Sequence, residues 1–217
     1  TRHWEGKALR MLPDDFRMQS LFGHGRDWPI AYDTLEPYYR TAEWELGVSG
    51  DVEDQKYGGL TFGDENYVLP MHKMPASYLD QVLARDVDGM PVELGSETFK
   101  LKVRTTPQAR NGIPNKNYNN GAGFVPNGAV SVDQAEMGGR CQGNTNCVPI
   151  CPVQAKYDAR RTLAQAFSTG NVALLPRTVA SRVNINTETG QISGIECKTY
   201  DHPDQIGATS RILKAKT

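Results

Sequence analysis

Three of the four cysteines in this 217-residue chain fall within eleven positions: Cys141, five residues, Cys147, three residues, Cys151, with Pro152 directly after. They lie in "RCQGNTNCVPICPVQAKYDARRTLAQAF", so whatever holds these thiols also decides how the surrounding loop can fold. Cys197 is far from the other three, and four unevenly spread cysteines do not make a disulfide scaffold. The residues alone leave three readings open. A disulfide between cysteines separated by five or three positions closes so small a loop that it contributes about 2 kcal/mol or less, and it leaves one thiol over. Zinc with a histidine as a Cys3His site is chemically sound, but zinc ligands usually come as close pairs such as C-x2-C, and neither gap here has that length. Iron and sulfide suit soft thiolates gathered in an irregular loop, and a Cys-Pro step also closes ligand runs in bacterial ferredoxins. Three ligands match a 3Fe-4S cluster, in which each iron takes one terminal thiolate. Cys197, in "GIECKTY", then reads as a buried apolar filler. If Cys151 caps the following helix, the free amides of the first turn and the helix dipole also favour a negative cluster.

Composition narrows the partners. Twenty-four basic against twenty-five acidic residues leave a net charge of −1, without the Lys/Arg cluster that a nucleic-acid footprint requires. No apolar run approaches the roughly 20 residues needed to span a bilayer, and the first thirty residues hold no signal-peptide core. The chain opens on Thr1 and stops at Thr217 inside the alternating stretch "SRILKAKT", which gives the expectation of an interior segment.

The pattern along the chain predicts mixed α and β structure. Residues 1–30 read as loop with at most a short strand. A helix is expected over 34–46, capped by Asp33 and Glu36, striped by Leu35, Tyr38, Tyr39, Ala42 and Leu46, and stopped by Gly47. A second is expected in "ASYLDQVLARDVDG", with Ser77 and Asp80 as capping pair, Leu79, Val82 and Leu83 as apolar stripe, and its end before Gly89. Residues 91–105 favour strands, and Pro, Asn and Gly make 107–140 a long irregular segment. Pro152 and Gly170 bracket a helix of about four turns, with Val153, Tyr157, Ala164 and Phe167 facing inward. "VALL", "TVASRVNI", "QISGIECKTY" and "SRILKAK" then form an antiparallel meander.

"TRHW", "DWPIAYDTLEPYYRTAEWELGVSG", the cysteine run and "NVALLPRTVASRVNINTETGQISGIECKTY" resemble the middle of the glucose-methanol-choline (GMC) oxidoreductases. The likeness is closest to bacterial FAD-dependent sugar and polyol dehydrogenases, the glucose and gluconate dehydrogenase catalytic subunits among them. It covers most of the chain and weakens between about residues 51 and 135. In that branch the five-then-three cysteine spacing holds a 3Fe-4S cluster, which implies Cys141, Cys147 and Cys151 as ligands here. The implied fold class is α+β, the interior part of a GMC-type fold with helices and antiparallel strands. The family's dinucleotide-binding motif is expected before Thr1 and its catalytic histidine after Thr217, so no catalytic residue is assigned within the chain. "GHGRDW" and "GAGFVPNG" are glycine-rich but neither follows a strand nor opens a helix, and both read as turns.

Further roles follow from the resemblance. His3 of "TRHW" occupies a position beside the flavin ring, where related pyranose oxidases carry the flavin covalently, and Trp4 adjoins it. Ala180 falls on the strand whose backbone meets the adenine. The chain divides into a flavin-proximal loop (1–32), a helical and substrate-domain segment (33–140), the cysteine loop and helix (141–170) and a β meander of the FAD-binding domain (171–217). The implied function is oxidation of a hydroxyl group of a sugar or polyol, with electrons passing from FAD through the cluster to an acceptor such as a cytochrome or quinone. The implied location is periplasmic or membrane-associated. Two alternatives stand beside it: an oxygen-using pyranose or glycoside oxidase without cluster, and a non-catalytic metal-binding module. His24, His72 and His202 lie in turn-rich sequence and read as exposed imidazoles, and Trp28 and Trp44 as packing residues.

Overall fold

A computed structural model describes residues 6–124, 139–143, 151, 153–202, 204–205 and 207–214. Helices and small sheets alternate, so the class is α+β as expected. The chain divides into two compact units, Thr1–Gln165 and Ala166–Thr217.

In the first unit the ordering element is the irregular segment expected from residue 107 onward. It is irregular in class but strand-like in function. Pro107 accepts a hydrogen bond from the Ala8 amide (2.9 Å), and Ala109 donates to Gly6 (2.6 Å). Gln108 and Ser49 exchange both backbone bonds (2.7 and 2.8 Å), Ile113 accepts from His72 (2.9 Å), and Asn115 donates to Pro70 (2.9 Å). Residues 107–115 thereby align β1 (Ser49–Gly50) and β2 (Met71–His72), which also pair with each other in parallel. Gly112 sits where this weave is tightest: a Cβ there would lie 2.6 Å from Ser49 Oγ and 2.7 Å from Met74 Cε, so the position admits no larger residue without displacement. Against this spine pack Val48, Val52, Phe62 and Leu69, and beside them Met71 with Phe124, flanked by Trp44, Tyr118 and Tyr157.

The N-terminal stretch carries more helix than its composition suggests. Pro13–Arg17 forms a 3-10 turn and α1 covers Met18–Phe22. Pro13 suits the first turn because it has no amide to satisfy there, and Asp15 Oδ2 accepts the Leu12 amide at 2.7 Å. Phe16 is buried against Trp28 and Tyr32.

Helix α2 runs Tyr32–Leu46 and ends, as expected, on Gly47 with φ +64. Its cap and its inner face differ from the expectation. Ala31 is the N-cap without a side-chain bond, and Asp33 lies inside the first turn, where its charge favours the dipole. The buried positions are Tyr32, Glu36 and Glu43, while Tyr38 and Ala42 face outward. Arg10 is the reason. Its guanidinium donates to both Glu43 oxygens (2.7 and 2.8 Å), to Tyr32 Oη (2.9 Å), to Glu36 Oε1 (3.1 Å) and to the Thr61 carbonyl (3.2 Å). It also lies 4.3 Å from the centroid of the Phe62 ring. Tyr67 Oη donates to Glu43 at 2.6 Å, and Arg40 pairs with the second Glu36 oxygen at 3.1 Å. Two guanidinium groups thus balance two buried carboxylates. Burial works against the Arg10 charge, yet the Glu43 carboxylate outweighs it and holds the guanidinium above its ordinary value. Burial, then the Glu43 charge, push the Tyr67 phenol far up, so it stays a donor.

Helix α3 (Tyr78–Val87) has the expected capping box: the Asp80 amide donates to Ser77 Oγ and the Ser77 amide to Asp80 Oδ2, both at 3.1 Å. Its expected stripe is not buried, since Leu79 and Leu83 are exposed among the described residues. The hairpin β3 (Pro91–Leu94) and β4 (Glu97–Lys100) accounts for the first part of the 91–105 strand region, and 101–105 is extended without a ladder.

Helix α4 covers Arg160–Ser168 and begins later than the Pro152 onset expected for it. Val153–Ala159 instead run as turn and extended chain, because their backbone groups bond the 109–111 segment. Arg161 is the buried residue of this helix, while Ala164 and Phe167 are exposed. Pro152 lies outside the described residues.

In the second unit, β5 (Thr178–Ile185), β6 (Ile192–Thr199) and β7 (Thr209–Leu213) form the expected antiparallel meander, in the order β5-β6-β7. The Asn186 side chain accepts the Glu188 and Thr189 amides (2.9 and 3.1 Å) to close the first turn. Residues 172–175, expected as a strand, are not one. A bulge at Ser181 separates the pair Ala180–Cys197 from Arg182–Glu196.

Two outcomes follow. Arg10→Met leaves Glu36 and Glu43 buried with Arg40 as remaining cation, and should cost about 3–5 kcal/mol in urea unfolding, Arg10→Lys recovering only part of it because a lysine cannot bond both Glu43 oxygens side by side; a loss under about 1 kcal/mol would contradict the network's role. The second concerns Asp54. Burial raises its carboxyl, but bonds from Thr105 Oγ1 and from Lys73 Nζ at 3.3 Å outweigh it and hold the group below the usual range. A depressed folded value stabilises the fold above the unfolded carboxyl value of about 3.9 and is lost as pH falls through the lower folded value. Asp54→Asn should therefore flatten the acid limb of the stability curve in that window, read by circular dichroism against pH.

Candidate metal centre

Backbone pairing with residues 109–111 holds both Cys141 and the segment that follows Cys151. Residues 109–111 are flanked on one side by 155–157: Asn111 donates to Ala155 O (2.8 Å) and Tyr157 to Ala109 O (2.9 Å). On the other side Cys141 donates to Asn111 O at 2.8 Å. Gly139 closes the gap by donating to Val153 O at 2.6 Å. Asn111 is therefore the residue through which the 139–141 segment and the segment after Cys151 are held in register. Its side chain, with the residue 1 % exposed, completes the junction: Nδ2 donates to Gly139 O (3.0 Å) and Oδ1 accepts from Arg161 Nη1 (3.3 Å). Arg161 Nη2 donates to Gln154 O at 2.7 Å.

Each described sulfur of the run meets a backbone amide. Gly143 N–H points to Cys141 Sγ (3.4 Å) and Ala155 N–H to Cys151 Sγ (3.3 Å). Gly143 has φ +77, and a Cβ would run into the Pro75 carbonyl, so glycine is what lets the loop turn back on its own sulfur. Cys141 is buried, Cys151 half-buried, and both are free thiols. Cys151 is not a helix N-cap. Its carbonyl accepts the Gln154 amide (3.1 Å) in an isolated turn, with Gln154 at φ +52, so the amide reaching its sulfur comes from that turn. Hydrogen bonds to sulfur and burial are two of the levers by which a protein tunes an iron-sulfur group, and both act on the described thiols. Cys147 lies outside the described residues, as do His3 and Trp4.

The other expected positions fall elsewhere. Ala180 is on β5, an edge strand among the described residues. Cys197 is buried on β6, its sulfur 3.9 Å from Ile195 O. His24, His72 and His202 are exposed, as expected. Asn111 and Arg161 were missed by sequence reasoning. "PQARNG" looks like any polar turn, and "DARRTL" like the outer face of a helix; a single buried polar residue leaves no periodic trace.

The sequence is similar to two dehydrogenases. The fructose dehydrogenase large subunit of Gluconobacter japonicus is 30% identical over 207 residues, which is 94% of this chain and 31% of that protein. The 2-methyl-1,2-propanediol dehydrogenase of Mycolicibacterium austroafricanum is 40% identical over 68 residues, 30% of this chain and 12% of that protein. The chain thus spans about a third of the length of the first relative. No protein-family model matches the sequence.

Asn111→Ala should leave the Gly139 carbonyl and the Arg161 guanidinium without these bonds and loosen the junction by about 1–3 kcal/mol. In metal-free protein the buried Cys141 should react with a thiol reagent more slowly than Cys151, and the substitution should speed Cys141 selectively, as read by peptide mass mapping. Equal acceleration at Cys197, on β6, would point to general unfolding instead.

Proposed function

We propose that this chain is the cluster-bearing portion of an FAD-dependent dehydrogenase of the GMC type that oxidises a hydroxyl group of a sugar or polyol. The observation that carries the reading is the pairing of similarity along 94% of the chain to a sugar dehydrogenase subunit with a buried junction that presents free thiols. Cys141, Cys147 and Cys151 would hold a 3Fe-4S cluster, and His3, Trp4 and the backbone at Ala180 would line the flavin. When bound, FAD would supply hydride-accepting chemistry toward the substrate carbinol, and the cluster would supply one-electron transfer toward an acceptor, a cytochrome or a quinone. This chain's own residues supply the setting: the Asn111 junction fixes the 139–141 segment beside Val153, Gly143 and Ala155 aim amides at the sulfurs, and burial keeps Cys141 from solvent. The catalytic histidine and the flavin diphosphate loop belong, on this reading, to other parts of the polypeptide, and the enzyme works on the periplasmic or membrane-associated side with an electron-accepting subunit.

Metal and acid-labile sulfide analysis of the full polypeptide tests the reading, together with a low-temperature EPR spectrum of the oxidised protein. Iron and sulfide in the 3Fe-4S ratio, an EPR signal from the oxidised cluster, and loss of both in Cys147→Ser are the expected results. Zinc in place of iron, or flavin-dependent activity with no metal, would overturn it.

A further inference from the structure

Arg161 is only 9 % exposed, and its two hydrogen bonds go to neutral oxygens, Asn111 Oδ1 and Gln154 O. Among the described residues no carboxylate lies within ion-pairing distance of it. Asp158, the acidic residue nearest in sequence, directs both oxygens to Arg160 at 2.9 Å. A buried cation is costly unless negative charge compensates it, and a pair of neutral oxygens compensates it only in part. The contrast with Arg10, which meets Glu36 and Glu43, shows how the same unit treats a buried guanidinium that serves structure alone. Burial draws the Arg161 guanidinium below its ordinary value, only partly opposed by Asp158. Gln154, whose carbonyl accepts from Arg161, is followed directly by Ala155, whose amide meets the Cys151 sulfur. The same guanidinium is bonded to the side chain of Asn111, whose carbonyl receives the Cys141 amide.

We propose that Arg161 is the counter-charge of the thiol centre, a positioning residue that balances the negative charge of the sulfur-ligated group and thereby sets its reduction potential. The inference rests on the cysteines holding a redox-active cluster. Reduction adds one electron to a group already negative and breaks or forms no bond, so a fixed cation nearby favours the reduced form and raises the potential.

The test uses the full polypeptide with its cofactors, and an EPR-monitored redox titration. Arg161→Gln should lower the midpoint potential by at least a tenfold change in the reduction equilibrium, about 59 mV for a one-electron couple, whereas Arg161→Lys should keep the potential within a third of that shift. Iron content in the wild type separates the two readings. If the wild type holds no iron-sulfur cluster, the function proposed above fails and this inference with it. If the cluster is present and Arg161→Gln leaves its potential unchanged, the counter-charge role alone is overturned. Should Arg161→Gln lose the cluster altogether, Arg161→Lys decides: retention of iron and of the wild-type potential supports the role of charge, and equal loss in both variants assigns Arg161 to packing and overturns it.

Discussion

The first unit hangs on the backbone of residues 107–115. Its amides and carbonyls satisfy several other segments, among them 6–8, 49, 70–72, 139–141, 155–157 and Phe124, none of which forms a long ladder of its own. Buried backbone groups must be paired, and in most folds regular helix and sheet do this. Here one extended run does it for many partners, which is why a stretch so poor in periodic signal is nevertheless buried at Pro107, Ala109, Asn111, Gly112 and Asn115. The run that orders the core is also the run to which the 139–141 segment is anchored.

Arg10 plays the complementary part. The spine pairs backbone, while the guanidinium ties α2 to the 60–67 segment through side chains, with rings of Phe62, Tyr39 and Tyr67 around it. A buried ion network of this kind is weak evidence for net stability, because desolvation offsets much of the Coulomb gain. What it does impose is geometry. Glu43 accepts two parallel N–H bonds, and only one rotation of α2 presents both oxygens to Arg10.

Local signals were readable in the sequence wherever they were self-contained. The Ser77–Asp80 box, the Gly47 stop and the β5-β6-β7 meander each depend on residues a few positions apart, and each is present. Two of the failures share one cause, a distant partner that outweighs a local preference. The face of α2 was misjudged because carboxylates are the buried side once Arg10 arrives, and apolar periodicity cannot register that. The onset of α4 was misplaced because the backbone after Cys151 bonds residues 109–111 in preference to itself. In the site, the cysteines announced themselves by spacing, whereas Asn111 and Arg161 act through burial and long-range bonds that no short window contains.

The displaced helix changes the electrostatics of the thiol loop in kind. A helix capped at Cys151 would have offered the sulfur a dipole end worth roughly half an elementary charge, effective only within the first turn. With α4 starting at Arg160, that dipole end is too late in the chain to serve Cys151 in this way. The structure sets in its place one amide from an isolated turn at Ala155 and one whole charge from Arg161, carried back by the second residue of the helix itself. A dipole end is fixed by backbone and is blind to sequence, but a side-chain charge can be removed by one substitution. The electrostatic character of this loop is therefore separable from its fold, and a chain that kept the cysteines and the Asn111 junction could shift the behaviour of whatever the thiols hold by altering Arg161 alone.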